Sequence, residues 1–68
     1  MNAKEIGKRI QNLRKDRNLT QQELAEKLGI SPNMVAKVES GLRIPSIDMF
    51  VVMAEYFEES LDYLVLGK

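Results

Sequence analysis

The sequence predicts an all-α fold, a compact bundle of five helices. Three features of the chain point there. A polar capping residue stands ahead of each of five apolar-periodic segments: Asn2, Thr20, Ser31, Ser46 and Ser60. Within the segments, apolar residues recur at three- and four-residue spacing and not in the alternation of a strand. Gly29, Gly41 and Pro45 fall between the segments, where chain breakers belong.

The first helix starts after Asn2, which pairs with Glu5 as a cap, and runs to about Arg17. Ile6, Ile10 and Leu13 form its inward stripe. Gly7 in a helix interior costs about 1 kcal/mol relative to alanine, and its reading is a close helix–helix approach. Asn18 and Leu19 make the link, with Leu19 as a hydrophobic staple. Thr20 and Glu23 form a T-x-x-E capping box for the second helix, whose apolar face is Leu24, Ala25 and Leu28. Gly29 supplies the left-handed residue that ends it. Ser31 caps the third helix, Pro32 occupies the first helical position, where a missing N–H costs nothing, and Gly41 closes it. Pro45 favours an extended entry to the fourth helix, which starts after Ser46 and runs to about Phe57. The fifth is short, from about Leu61, with Asp62 in the first turn, where negative charge is favoured. The expected core is Ile6, Ile10, Leu13, Leu19, Leu24, Ala25, Leu28, Ile30, Val35, Val38, Ile47, Phe50, Ala54, Phe57, Leu61 and Leu64.

Residues 20–41 are thus two short helices joined by a tight turn, the helix-turn-helix arrangement that places its second helix in a DNA major groove. IGKRIQNLRKDRNLTQQELAEKLGIS, VESGLRIPSIDMFVVMAEYF and SLDYLVLG follow in order at matching spacings. On these segments the chain resembles the phage-repressor/Cro-type helix-turn-helix family, often called the Xre family. The likeness covers nearly the whole chain and implies a lambda-repressor-like DNA-binding fold.

The 68 residues make a single domain, 1–68, near the lower size limit for independent stability. With no cysteine there is no disulfide or thiolate-bound metal, and with no histidine the usual general base and zinc ligand are missing. No Gly-rich phosphate loop or paired carboxylates stand out, so an enzyme is the least supported class. No cofactor, metal or small-molecule ligand is indicated. The apolar run Met49 to Ala54 is too short to span a membrane, and a cytoplasmic, nucleoid-associated protein is expected. Net charge is zero, but residues 1–43 carry nine basic against five acidic side chains, a net +4. Residues 44–68 carry one against five, a net −4. Such a dipole orients a protein on a polyanion without a high overall pI.

On the third helix, Val35, Val38 and Glu39 share the inward face. Asn33, Lys37 and Ser40 lie opposite, with Met34 and Ala36 on the flanks and Pro32 at the leading edge. Asparagine pairs bidentately with adenine, lysine reaches the guanine acceptors, and Met34 or Ala36 packs on a thymine methyl. Pro32, Asn33 and Lys37 match the family's main base-reading positions, though Pro32 offers no side-chain hydrogen bond. DNA shape is therefore expected to supply part of any specificity. Gln21, Ser40 and Arg43 match its backbone-contacting positions, where contacts set register and affinity. The family also pairs an arginine and a glutamate at the positions of Arg14 and Glu39, which implies a structural ion pair, with Arg14 a further phosphate contact.

Met49, Val52 and Tyr56 form a second apolar stripe on the fourth helix, and Tyr63, Val65 and Leu66 extend it. Exposed patches of this kind mark interfaces, so these residues are the expected homodimer surface. The alternative is that the fifth helix folds back over them. The expected function is a sequence-specific double-stranded DNA-binding transcriptional regulator, a repressor that binds a palindromic operator as a homodimer. Two alternatives stand beside it: an antitoxin or restriction-modification controller of the same fold, and a protein-interaction module that has lost DNA binding.

Overall fold

The computed structural model describes all 68 residues, which form α1 (Ala3–Asp16), α2 (Gln21–Leu28), α3 (Pro32–Glu39), α4 (Ile47–Phe57) and α5 (Leu61–Leu66). There is no strand. Each helix begins at an extended residue whose side chain accepts the N–H three positions on. The pairs are Asn2 with Glu5, Thr20 with Glu23, Ser31 with Met34, Ser46 with Met49 and Ser60 with Tyr63. A cap of this kind contributes about 1 kcal/mol. At α2 it is reciprocal: Glu23 Oε1 accepts the Thr20 N–H at 2.9 Å, completing the capping box. α1 stops at Asp16, with Arg17 as its cap rather than its last residue.

Eleven buried side chains from all five helices make one core: Ile6, Ile10, Leu24, Ala25, Leu28, Val35, Val38, Phe50, Met53, Phe57 and Leu64. Leu13, Leu19, Ile30 and Ala54 pack against it while only partly buried. Two expected core residues are not there. Ile47 is 68% exposed and Leu61 is 39% exposed, whereas Met53, absent from the expected set, is fully buried. The cause is the rotational phase of α4. Its sequence IDMFVVMAEYF is apolar on nearly every side, so the stripe Phe50, Met53 and Phe57 competes with Ile47, Phe50, Ala54 and Phe57. The observed stripe buries the larger side chain in place of Ala54. Ile47 and Leu61 each begin their helix, where one side is open to solvent. No helix is long and apolar enough to cross a membrane.

Two contacts set the frame around α1. At its far end, the Arg17 guanidinium lies 5.1 Å from the Tyr56 ring centroid and 5.4 Å from that of Phe57, and it donates to the Phe57 carbonyl at 3.2 Å. This ties the end of α1 to the end of α4. Nearer its start, α1 crosses the last turn of α3 at Gly7. A Cβ there would fall against the Val38 carbonyl oxygen and lie 2.7 Å from that of Glu39.

Gly7→Ala therefore sets two effects against each other. Helix propensity alone favours alanine by about 1 kcal/mol. The clash is with backbone, which yields little, and overpacking of this kind costs about 1–3 kcal/mol. The expected outcome is a net loss, a fall in Tm of several degrees for a domain of this size, read by thermal unfolding followed by circular dichroism. A higher Tm would show that α1 and α3 do not approach this closely.

Candidate nucleic-acid interface

The outward surface of α3 follows from what its inward face must bury. Val35 and Val38 enter the core, and Glu39 goes in beside them. A buried carboxylate requires charged or hydrogen-bonding partners, and Glu39 accepts three hydrogen bonds from two side chains. Arg14 Nε donates to Oε2 at 2.7 Å, Arg14 Nη2 donates to Oε1 at 3.1 Å, and Gln21 Nε2 donates to Oε1 at 3.0 Å. Arg14 Nη1 also donates to the Leu19 carbonyl at 2.7 Å. The side chains of Arg14 and Glu39 are only 11% and 2% exposed. One carboxylate thus holds α1, the start of α2 and the end of α3 together.

With that face pinned, Pro32, Asn33, Lys37 and Ser40 are all exposed. No hydrogen bond or ion pair engages the side chain of Asn33 or Lys37. Met34 behaves differently. It is half-buried and lines a notch of about 90 Å³ with Ile30, Val38, Arg43, Ile44, Pro45, Ser46 and Met49. It packs partly against the α3–α4 connection rather than standing free on the outward face.

The flanking residues show similar distinctions. Gln21 is neither a free surface residue nor wholly sequestered: its amide nitrogen is held by Glu39. Its backbone N–H, like that of Gln22, finds no partner within the chain at the start of α2. Free N–H groups there favour an anion. Ser40 Oγ donates to the Lys37 carbonyl at 3.1 Å, so its hydroxyl proton is engaged. Arg43 is exposed and forms no ion pair. Arg14 uses three of the five N–H donors an arginine carries inside the fold. The start of α2, bonded to Glu39, and the 40–43 segment therefore both lie near the end of α3, and they bring free N–H groups and the Arg43 guanidinium there.

On α4 and α5, the residues expected at a dimer surface divide. Val52 and Leu66 are exposed, whereas Met49, Tyr56 and Tyr63 are half-buried and packed against the core. Met49 and Tyr56 thus lie on the flank of the core stripe and not opposite it. Val51, unremarked in the sequence, is exposed beside Val52. The packing of Met53 into the core, which sets the phase of α4, turns Val51 outward.

A family model described as helix-turn-helix, HTH_3, matches residues 10–64. The fold superposes on the P22 c2 repressor, solved in complex with a synthetic operator, with a TM-score of 0.87 and 25% identity, covering 93% of this chain and 96% of that one. It also superposes on the restriction-modification controller protein C.AhdI from Aeromonas hydrophila, with a TM-score of 0.83 and 27% identity, covering 93% and 91%. In sequence, the chain is 34% identical over 64 residues to the transcriptional activator BcrR of Enterococcus faecalis, covering 94% of this chain and 31% of that protein. The chain spans about half the length, or less, of the curated relatives it matches.

The Glu39 network yields a stability prediction. Glu39→Ala leaves the Arg14 guanidinium buried without its counter-charge, a change that costs about 3–5 kcal/mol. Gln21→Ala removes one hydrogen bond and costs about 1 kcal/mol. Urea unfolding is expected to rank them in that order. A Glu39→Ala protein that unfolds at the parent midpoint but loses DNA would overturn the structural role of the pair.

Proposed function

The chain belongs to the helix-turn-helix family HTH_3, and from that membership we propose that it is a sequence-specific double-stranded DNA-binding transcriptional regulator. In this reading it is a repressor that binds a palindromic operator as a homodimer, in the cytoplasm and on the nucleoid. The observation that carries the proposal is the exposed and unpartnered pair Asn33 and Lys37, on the outward face of a helix locked from behind by Glu39. The likeness to an operator-bound repressor supports it.

The roles follow from the chemistry. Asn33 pairs with adenine and Lys37 with guanine acceptors in the major groove. Pro32 shapes the leading edge without donating. Met34, half-buried in its notch, contributes an apolar contact to a thymine methyl. So few readers leave a share of the specificity to DNA shape. Phosphates are met by the free N–H groups at Gln21, by Arg43, and by Ser40 once its hydroxyl releases the Lys37 carbonyl. Arg14 adds its remaining N–H donors and above all holds the frame. Exposed Val52 and Leu66, edged by Met49, Tyr56 and Tyr63, supply the surface for a second copy. A two-fold axis would then place the recognition helices over half-sites about 34 Å apart.

A second reading, a restriction-modification controller, is favoured by the superposition on C.AhdI. It uses the same DNA chemistry and differs in what is regulated; a neighbouring methyltransferase gene distinguishes it.

Fluorescence anisotropy against palindromic duplexes from the upstream region, and against a random duplex pool, tests the function. Binding to one palindrome is expected to be tight. It should weaken with salt by about 0.9 log units per phosphate contact for each tenfold rise in concentration. Asn33→Ala and Lys37→Ala should each cost about 1–3 kcal/mol of base discrimination, while Arg43→Ala weakens every sequence alike. Equal binding to palindrome and pool would overturn the sequence-specific reading. For the dimer, sedimentation equilibrium should show Val52→Asp shifted to monomer; an unchanged mass would remove α4 from the interface.

A further inference from the structure

We propose that Lys4 and Lys8 on α1 form an additional phosphate-binding edge, continuous with the Ser40–Arg43 segment, that carries duplex DNA beyond the helix-turn-helix itself. This deepens the DNA-binding reading above and rests on it.

The geometry comes from Gly41. A Cβ at that position would lie 2.9 Å from Lys4 Cγ and 3.0 Å from Lys4 Cα. The aliphatic stem of Lys4 therefore lies on the backbone just past the end of α3. Lys4 is exposed, so its ammonium group is open to solvent from a stem seated at Gly41. Gly41 has φ +81°, so a left-handed turn and this close packing coincide at one residue. Lys8 follows one turn along α1, on the same side.

The electrostatics point the same way. Lys4 sits in the first turn of α1, at the positive end of the helix dipole, where a cation is disfavoured. Lys8 lies four residues on, and like charges at that spacing repel. Neither has an ion-pair partner, because the acid in that first turn, Glu5, faces Arg9 at 3.9 Å. Both side chains are exposed. The positive end of α1 and the repulsion between the two lysines disfavour both cations, and only Lys4, seated past the end of α3, has a partial offset from that helix's negative end. A polyanion laid across the 40–43 segment neutralises both.

The test reads salt dependence and stability together. Lys4→Ala should make the slope of log K against log salt shallower by about 0.9, equivalent to about eightfold weaker binding at 0.1 M salt. Lys4→Ala with Lys8→Ala should double the change in slope. Lys4→Arg should restore the parent slope, and base preference should not move in any of them. Lys68→Ala, which removes the same charge from the acidic half, should leave the slope as it is. The Tm of Lys4→Ala should stay level or rise. Parent-like slopes for Lys4→Ala and the double variant would overturn the edge and leave the DNA reading standing. A Tm that falls with Lys4→Ala would assign it a structural role instead. A parent protein that binds no duplex at any salt would overturn the DNA reading beneath both.

Discussion

The buried carboxylate of Glu39 is the constraint on which the rest of this molecule turns. α3 has eight residues, too few to hold a helix in water without tertiary support. Its orientation must come from what it packs on, and apolar packing alone is tolerant of small rotations. A carboxylate with three directed hydrogen bonds is not. Arg14 comes from α1 and Gln21 from the first residue of α2, so the three helices share one point of register. The glycine at position 7 is the companion requirement, since any side chain there would push α1 off the carbonyls beside Glu39. Buried ion pairs add little net stability compared with apolar replacements. In this fold the pair fixes which face of α3 points out, and the exposed positions of Asn33 and Lys37 follow from it.

Helix boundaries were legible in the sequence because they are set locally. Each start carries its own capping side chain, and the stops at Gly29 and Gly41 need only a backbone that tolerates positive φ. Helix phase was legible only where polar residues mark one side. In α1, α2 and α3 they do, and the inward stripes read directly. In α4 nearly every side is apolar, so nothing in the sequence distinguishes Met53 from its neighbours or marks Ile47 as outward. At the interface, Asn33 and Lys37 were readable as outward because Val35, Val38 and Glu39 define the opposite face. The bond between Gln21 and Glu39 was not readable, since it joins residues from separate helices and depends on side-chain conformers that no spacing encodes. The half-burial of Met34 likewise depends on how the 43–46 segment folds back.

The net charge of zero conceals an uneven distribution, and that distribution bears on the proposed binding to DNA. The basic half holds α1, α2 and α3, while the acidic half holds α4 and α5. Attraction on one side is offset by repulsion on the other, so only one orientation toward DNA is favourable. The long-range pull on arbitrary sequence is weaker than for a strongly basic domain. In the proposed function, discrimination then rests more on the few groups assigned to bases and on groove shape than on bulk affinity.

The five capping residues carry a further consequence, for the time the chain needs to reach this state. Closing the first turn is the slow, unfavourable step in making a helix, and here each first turn is closed by a side chain three residues away. The helices are short, adjacent ones are joined by brief links, and no strand pairing between distant segments has to be found. Chains with such local wiring fold in microseconds to milliseconds. A helix-turn-helix domain built this way is ready soon after it leaves the ribosome, with little opportunity for its apolar surfaces to meet those of another unfolded copy.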